Sequence, residues 1–256
     1  MAALLRFERD GDHFRAATPE RGDSDRLFGG LIAALALGAA GATVEPGVVP
    51  HSLHSYFIRS GRSGSDVELS VDRVRDGRSF ATRRVTVTQQ DSAIFEMIAS
   101  FHRPESGPDH HRPAALRLDL SEAVSAKTNV GVESRFELLA SPTNREPWVL
   151  PPFWFRTRDR IEDDPLIRAC VLTFISDIGP MPTAHPPGIP LGERAGFAAS
   201  LDHSVWFHRA YDPQEWHCYD MAAVSHTNNR GLVQGVVLSR DGTPVASTAQ
   251  ESLWRL

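Results

Sequence analysis

The feature that most limits the fold of this chain is an internal repeat at a spacing of 150 residues. The segment 51–61, HSLHSYFIRSG, mixes histidines, hydroxyls and aromatics in the same way as the segment 199–212, ASLDHSVWFHRAYD. Three residue types recur at this spacing, as the pairs Phe57 and Phe207, Arg59 and Arg209, and Asp91 and Asp241. Each copy has the usual size of a small domain, so the repeat predicts two structural units.

Both copies contain the same order of predicted elements. An Ala- and Leu-rich stretch at 28–41 predicts a helix in the first copy, and 165–177 predicts one in the second, with Pro165 suited to the first turn. Segments of strand composition follow each helix, and the last of them are 94–102 and 244–254. Side chains along the first of these two alternate with the period of a strand.

The first predicted helix is hydrophobic on all sides, which requires burial on all sides. A curved antiparallel sheet wrapped around the helix meets this requirement, and the result is the hot-dog fold. We therefore predict an α+β, double hot-dog protein with two tandem units, each with a long helix wrapped by an antiparallel sheet. The predicted boundaries are 1–103 for the N-terminal unit, 104–128 for a linker that includes Pro-rich, charged sequence, and 129–256 for the C-terminal unit.

Composition restricts the function and the compartment. A net charge of −5 and a pI near 6.1 argue against a nucleic-acid-binding protein, which usually has a basic domain. Cys170 and Cys218 are the only cysteines and form no CxxC pair, as expected in a reducing compartment. The N-terminus reaches acidic residues too soon for a signal peptide, and the longest apolar run, 27–42, is too short and Gly-rich for a membrane span. We expect a cytoplasmic protein.

Five short phrases carry a resemblance to a known family. They are FGG ahead of the Ala-rich helix, HSLHSYFIRSG, VRDGRSFATRRV, LDHSVWFHR and the closing VASTAQE. In this order they resemble the acyl-CoA thioesterase II family, from about residue 27 to the end and most weakly over 103–160. The resemblance implies a double hot-dog enzyme that hydrolyses acyl-CoA to a free acid and coenzyme A, with no cofactor and no metal. It also implies a homo-oligomer, because exposed sheet edges commonly pair.

The resemblance further implies a catalytic set of an Asp, a hydroxyl and a Gln, all in the second copy. Asp177 matches the Asp after the second helix, Ser200 matches the hydroxyl before the DHS phrase, and Gln250 matches the Gln of the last strand. Thioester hydrolysis needs a water in line with the carbonyl carbon, a base for its proton and donors for the oxyanion. Asp177 would be the base or would orient the water, and both roles stay open. Ser200 and Gln250 would fix the orientation of the water.

Each of these residues also has a structural interpretation. Asp177 fits a loop acid that binds amides after the helix, Ser200 fits an ordinary strand or turn hydroxyl, and Gln250 fits the solvent face of its strand. In the first copy, the repeat places Ser100 at the position of Gln250, and a slip of one residue places His51 at the position of Ser200. On that alignment the first copy lacks the amide and the hydroxyl, which predicts one active site, in the second copy.

One position departs from the family, because many relatives carry a Gln after FGG where this chain has Leu31. A polar contact near the substrate is therefore expected to be missing. Two other functions are compatible with the same fold. A hot-dog enoyl-thioester hydratase would keep the acyl-CoA ligand but normally pairs an acid with a catalytic histidine. A non-hydrolytic acyl-CoA-binding protein would bind the ligand without releasing a thiol.

Overall fold

The computed structural model of the chain describes residues 5–20, 24–112, 114–144, 148–190 and 196–255. By their internal contacts, the residues form two compact units. The first comprises Met1–Pro108 and Glu162–Ile175, and the second comprises Asp109–Ile161 and Ser176–Leu256. The division after Pro108 falls inside the predicted linker.

The first unit is built on an antiparallel sheet. Its elements, in chain order, are β1 (Glu8–Asp10), β2 (His13–Ala16), α1 (Gly29–Gly41), β3 (Val49–Phe57), β4 (Val67–Asp76), β5 (Phe80–Gln89) and β6 (Ser92–His102). The strand order is β1-β2-β4-β5-β6-β3. α1 packs against β3, β4, β5 and β6, and all of its residues from Gly30 to Gly41 are buried, including Leu31. The all-apolar helix predicted at 28–41 is thus confirmed, together with the sheet that covers it.

The second unit contains most of the remaining elements. In chain order these are β7 (Val124–Ser125), a 3-10 turn (Val132–Ser134), β8 (Phe136–Ala140), β9 (Phe153–Thr157), α2 (Pro165–Ser176), α3 (Pro180–Thr183), β10 (Phe197–Ser200), β11 (Asp202–Phe207), β12 (His217–Thr227), β13 (Arg230–Ser239) and β14 (Pro244–Arg255). Its antiparallel sheet has the order β11-β14-β13-β12-β9-β8-β7, and β10 also pairs with β14. α2 groups with the first unit as far as Ile175, so the prediction of one long helix per unit is not confirmed.

The second predicted helix has the expected start. Pro165 stands first in α2, where its missing N–H would have no helical partner. The Asp164 carboxylate accepts hydrogen bonds from the backbone N–H groups of Leu166 at 2.8 Å and Ile167 at 3.3 Å, which caps the helix. The last turn ends at Ser176. Among the described residues, no helix has the length and apolar character needed to cross a membrane.

Two glycines let α1 approach α2 closely. A Cβ added at Gly30 would lie 2.3 Å from the carbonyl oxygen of Phe174, and one added at Gly41 would lie 2.3 Å from a methyl of Leu166. The ring of Phe28 packs edge-on against the ring of Phe174, with 5.0 Å between centroids. Glycine at these two positions therefore allows close packing of α1 against α2 within the first unit.

Matching β-bulges support the internal repeat. The pairing of β4 with β5 shifts by one residue between Arg73 and Arg75, and the pairing of β12 with β13 shifts between Ala223 and Ser225. The extra residue is therefore Val74 in the first unit and Val224 in the second, 150 positions later. Bulges are specific features of a fold, so their recurrence at the repeat spacing indicates two copies of one strand arrangement.

The repeat is not uniform, because the last hairpin is one residue longer in the second unit. In the first unit, β5 and β6 are joined by Gln90 and Asp91, which both have positive φ. In the second unit the Ser239 N–H donates to the Thr243 carbonyl oxygen at 2.9 Å, so the loop runs over 240–242, and Gly242 takes the left-handed conformation with φ of 83°. A three-residue hairpin loop commonly places Gly at this position. Phe57 pairs with Phe95, and Phe207, which lies 150 positions after Phe57, pairs with Ala246. Strand β14 therefore aligns with β6 at a spacing of 151.

This extra residue corrects the predicted correspondence between the two copies. Gln250 aligns with Ala99 rather than with Ser100, because β14 is shifted by one residue. In the second unit, Ser200 opposes Ser252. The first-unit equivalent of Ser252 is Phe101, and Phe101 is opposed by Pro50. Pro50, not His51, is therefore the equivalent of Ser200. A slip of one residue moves a side chain to the other face of a sheet, so the corrected alignment changes which side chains share the buried face.

We expect Gly231→Ala to destabilise the second unit. A Cβ at Gly231 on β13 would lie 2.3 Å from the carbonyl oxygen of Ala184, the residue after α3, and backbone cannot move aside cheaply. The expected loss in the free energy of unfolding is about 1–3 kcal/mol, measured by urea denaturation. Gly107→Ala is the matched control, since a Cβ there meets nothing within 4 Å. Equal stability of the two variants would contradict the close contact.

Candidate active site

Gln250 lies on the buried face of β14, between β11 and β13. Alternate residues of this strand are buried, and Gln250 is only 1% exposed. The interpretation of this face as solvent-exposed is therefore wrong. The buried residues of the face that carry polar side chains are Thr248, Gln250 and Ser252. Buried polar groups are costly unless they find partners, so the face calls for a hydrogen-bonded cluster.

Ser200 is the first partner of Gln250. The Gln250 Nε2 atom donates a hydrogen bond to Ser200 Oγ at 2.8 Å. A bulge brings the two residues to one face. Ser200 opposes Ser252 and Ser204 opposes Ala249, so the three residues 201–203 face the two residues 250–251. Without the extra residue, Ser200 would face the opposite way from the inward residues of β11. The structure thus joins two of the three residues that the sequence selected.

Asp177 follows the last residue of α2 and is partly buried. The preceding residue, Ser176, accepts a hydrogen bond at its carbonyl oxygen from the Tyr219 hydroxyl, at 3.0 Å. The same hydroxyl lies 2.8 Å from Thr248 Oγ1, two residues before Gln250 on the same face of β14. Burial, and then the charge of Asp177, raise the pKa of Tyr219. The end of α2 is thereby tied to the strand that carries Gln250. That the Asp177 carboxylate shares a water with Ser200 and Gln250 stays a prediction.

His203 is a further member of this site that sequence reasoning did not select. Its side chain is 0% exposed, and its Nε2 atom lies 2.8 Å from Ser176 Oγ. Burial lowers the pKa of His203 to about 4, and contact with the Gln250 side chain partly offsets that effect. The ring is therefore neutral at pH 7. We call the set of Ser176, Ser200, His203, Tyr219, Thr248 and Gln250 the polar cluster.

The first unit has apolar residues at the places that correspond to the polar cluster. On the corrected alignment, the residues at the places of Ser200, His203, Thr248, Gln250 and Ser252 are Pro50, Leu53, Met97, Ala99 and Phe101. Every one of them is apolar and buried. At these five places the two copies of the sheet therefore differ, with apolar side chains in the first unit and polar side chains in the second. A buried departure from an apolar core is typical of functional sites, so these residues favour the predicted location of the chemistry in the second unit.

His51 and Ser100 form a separate pair in the first unit. His51 Nε2 lies 2.8 Å from Ser100 Oγ, and the ring lies near the rings of Phe80 and His102. Burial, and then the charge of His102, lower the pKa of His51. In the ranges that the structure describes, no group of three or more His, Cys, Asp or Glu residues has the geometry to hold a metal ion.

We expect the burial of His203 to make stability depend on pH. Below pH about 6.5 an unfolded histidine binds a proton, whereas folded His203 binds one only near pH 4. The unfolded state therefore binds more protons in this window, and the free energy of unfolding falls as the pH falls. The expected loss from this group between pH 7 and pH 5 is about 2 kcal/mol.

The measurement is urea denaturation of the parent and of His203→Asn at pH 7 and pH 5. Other groups titrate in both proteins, so the difference between their two pH dependences isolates His203. The variant should lose less stability on acidification than the parent. The same pH dependence in both proteins would show that His203 does not carry the effect.

Comparisons with known proteins agree with the fold. Two family descriptions match consecutive parts of the chain: the acyl-CoA thioesterase N-terminal domain over residues 18–102 and the acyl-CoA thioesterase C-terminal domain over residues 101–254. Acyl-CoA thioesterase 2 of Haemophilus influenzae is 30% identical over 98% of this chain and 96% of its own length. Acyl-coenzyme A thioesterase 8 of Mus musculus is 34% identical over 91% of this chain and 81% of its own length.

Solved structures show the same similarity. The acyl-CoA thioesterase II TesB2 of Mycobacterium marinum superposes with a TM-score of 0.86 at 31% identity, and the match covers 99% of this chain and 97% of that one. A protein with a hot dog fold from Alicyclobacillus acidocaldarius superposes with a TM-score of 0.78 at 18% identity, over 100% of this chain and 98% of that one, which supports the fold alone. The predicted hot-dog fold is confirmed, and the chain belongs to the acyl-CoA thioesterase II family.

Proposed function

We propose that this chain hydrolyses acyl-CoA thioesters to a free carboxylic acid and coenzyme A, with a water held by Asp177, Ser200 and Gln250. The observation that carries the proposal is the 2.8 Å hydrogen bond from Gln250 to Ser200 on a buried strand face. Membership of the thioesterase family supports the reaction, and this contact supports its proposed location. The apolar residues at the equivalent places of the first unit support a single site.

The proposed chemistry uses the water as the nucleophile. Its oxygen attacks the thioester carbonyl carbon while Asp177 takes up one proton or orients the molecule. The tetrahedral intermediate then expels the thiolate of coenzyme A, which takes the proton. Gln250 donates to Ser200 Oγ, and this leaves the Ser200 hydroxyl with lone-pair capacity for a water proton. Most of the gain comes from holding the water in place, since such positioning contributes up to about 7–11 kcal/mol.

The site gives less support to the alternative functions. A hydratase of this fold normally pairs an acid with a catalytic histidine, whereas the histidine of the polar cluster lies 2.8 Å from the hydroxyl of Ser176. A binding protein without hydrolysis would not need an amide and a hydroxyl joined on a buried face, because such groups are costly to bury. Neither function explains why polar side chains in the second unit stand at places where the first unit has apolar ones.

The proposal keeps three finer predictions. We propose that the chain works as two tandem hot-dog units, 1–103 and 129–256, each with its own long helix and joined by 104–128. We also propose a homo-oligomer, in keeping with the tendency of exposed sheet edges to pair. A cytoplasmic location is supported by the two cysteines, Cys170 and Cys218, which are both buried and unbridged.

The test is a thiol-release assay over a series of acyl-CoA chain lengths, with the free acid measured in parallel. We expect equal amounts of acid and coenzyme A, and we expect the rate to persist in excess chelator because Asp177 is the proposed base. Hydration of an enoyl-CoA without thiol release would favour the hydratase. Tight acyl-CoA binding without thiol release would favour the binding protein. Loss of activity with chelator and its return with a divalent metal would contradict the proposed mechanism.

A further inference from the structure

We propose that His203 is a positioning residue for this hydrolysis, which orients the side-chain amide of Gln250 and ties it to the end of α2 next to Asp177. The inference rests on the function proposed above. It adds a role for a buried residue that acts through Gln250 and not on the reacting atoms.

The position of His203 follows from the strand register. Ser204 on β11 opposes Ala249 on β14, and one step further along the same register places His203 opposite Gln250. Side chains of directly opposed residues on one sheet face are close neighbours. On its other side, His203 Nε2 lies 2.8 Å from Ser176 Oγ, and Ser176 is the last residue of α2. The ring therefore stands between the helix end that leads to Asp177 and the amide of Gln250.

The orientation of the Gln250 amide needs a cause. A hydroxyl such as that of Ser200 can accept from the amide N–H or donate to the amide oxygen, so Ser200 alone does not choose between the two orientations. A neutral histidine has one donor and one acceptor nitrogen. When Nε2 accepts from the Ser176 hydroxyl, Nδ1 carries the hydrogen and can donate to the amide oxygen of Gln250. The amide N–H is then directed at Ser200, as observed.

The electrostatics of the ring agree with this direction. Contact with Gln250 raises the pKa of His203, which is the effect of an oxygen that accepts from the ring. Burial is the larger effect and keeps the ring neutral. In the proposed arrangement, Ser176 donates to His203, His203 would donate to Gln250, and Gln250 donates to Ser200. The first unit has Leu53 and Ala99 at the places of His203 and Gln250, so the pair is present or absent together.

Three substitutions separate positioning from packing. In His203→Asn the amide nitrogen can stand in for Nδ1 and keep the donor toward Gln250. In His203→Gln the polar end reaches the place of Nε2, toward Ser176, and leaves Gln250 without its partner. His203→Leu copies the first unit and removes both contacts. We expect the Gln and Leu variants to lower kcat by about 10–100-fold with KM within about twofold, since small misplacement of a reacting group has effects of this size. The Asn variant should retain kcat within about threefold.

A double substitution tests whether the effect passes through Gln250. In a Gln250→Ala background, His203→Leu should lower kcat no further, because residues that act as a unit are not additive. His217→Asn is the control for the loss of a buried histidine: His217 is 4% exposed, and its Nδ1 donates to the Glu215 carbonyl oxygen at 2.9 Å. This control should lower Tm and leave kcat unchanged. If the Leu variant does not fold, the comparison of the Asn and Gln variants carries the test.

The inference is overturned if His203→Gln keeps the parental kcat. It is also overturned if the fold-losses of kcat caused by His203→Leu and Gln250→Ala multiply in the double variant. Either result makes His203 a packing residue only. The proposed function fails differently, by parental turnover in Asp177→Asn and Gln250→Ala. Low turnover in these two variants with parental turnover in His203→Gln would leave the hydrolysis site intact and remove only the role of His203.

Discussion

Asp177→Asn is expected to lower kcat for acyl-CoA hydrolysis by about 10²–10⁴-fold, the usual cost of losing a general base. The substitution keeps the shape of the side chain and removes its negative charge. An amide can still orient a water, but it cannot take up a proton. A loss near the upper end would therefore assign proton transfer to Asp177, and a loss near the lower end would assign orientation. KM should change little, since the interaction is made in the transition state.

Asp163→Asn is the matched control for that variant. Asp163 precedes the same helix at its other end, where its carboxylate is 90% exposed and pairs with Arg168 at 3.1 Å. Surface pairs of this kind contribute little, so its kcat and Tm should stay close to those of the parent. The Tm of Asp177→Asn must also stay close to that of the parent for the comparison to hold. Parental turnover in Asp177→Asn would remove Asp177 from the mechanism.

The helices and strands could be predicted because they depend on local sequence. An unbroken apolar stretch at 28–41 can only be a buried helix, and α1 occupies Gly29–Gly41. The second helix could be placed from Pro165, which ordinarily stands in a first turn, and α2 begins there. Alternation along 94–102 marked β6 for the same reason. These signals act within a few residues and need no knowledge of the rest of the fold.

The exact correspondence of the two copies could not be predicted, because it depends on one inserted residue. Gly242 lengthens the last hairpin, and the strand after it shifts by one position relative to the first copy. An alignment at fixed spacing carries no signal for such a shift. The consequence is large because side chains alternate between faces, so Ser100 takes the opposite face and Ala99 becomes the equivalent of Gln250.

The site was predictable in part. Ser200 and Gln250 were selected through the resemblance, and their hydrogen bond agrees with a shared role. The burial of the β14 face was not predictable, since Ser, Thr and Gln in alternation read as a solvent face. His203 was missed because its place opposite Gln250 depends on the register of β11 and β14, which only the strand pairing reveals. The one available signal was its position beside Asp202 in the DHS phrase.

Ser200→Ala and Gln250→Ala should each lower kcat by about 10²-fold, because either loss allows the attacking water to move by a distance that matters for reactivity. The double variant should be no worse than the poorer single variant by more than a few-fold, since the two side chains act through one hydrogen bond. Tm should fall more in Gln250→Ala, which leaves a cavity on a buried face, than in Ser200→Ala, which changes a partly exposed residue. A drop in Tm without a drop in kcat would show a structural pair only.

The first unit offers the control that distinguishes a catalytic pair from a merely structural one. His51 and Ser100 are joined at 2.8 Å, the same distance that joins Gln250 and Ser200. Removing either pair deletes one hydrogen bond from a strand of the same kind, so both deletions carry a similar structural cost, about 1 kcal/mol for a typical bond. Only the pair in the second unit should change turnover. Ser100→Ala should therefore match the parent in kcat, and a comparable loss of kcat in Ser100→Ala and Ser200→Ala would contradict a single site beside the polar cluster.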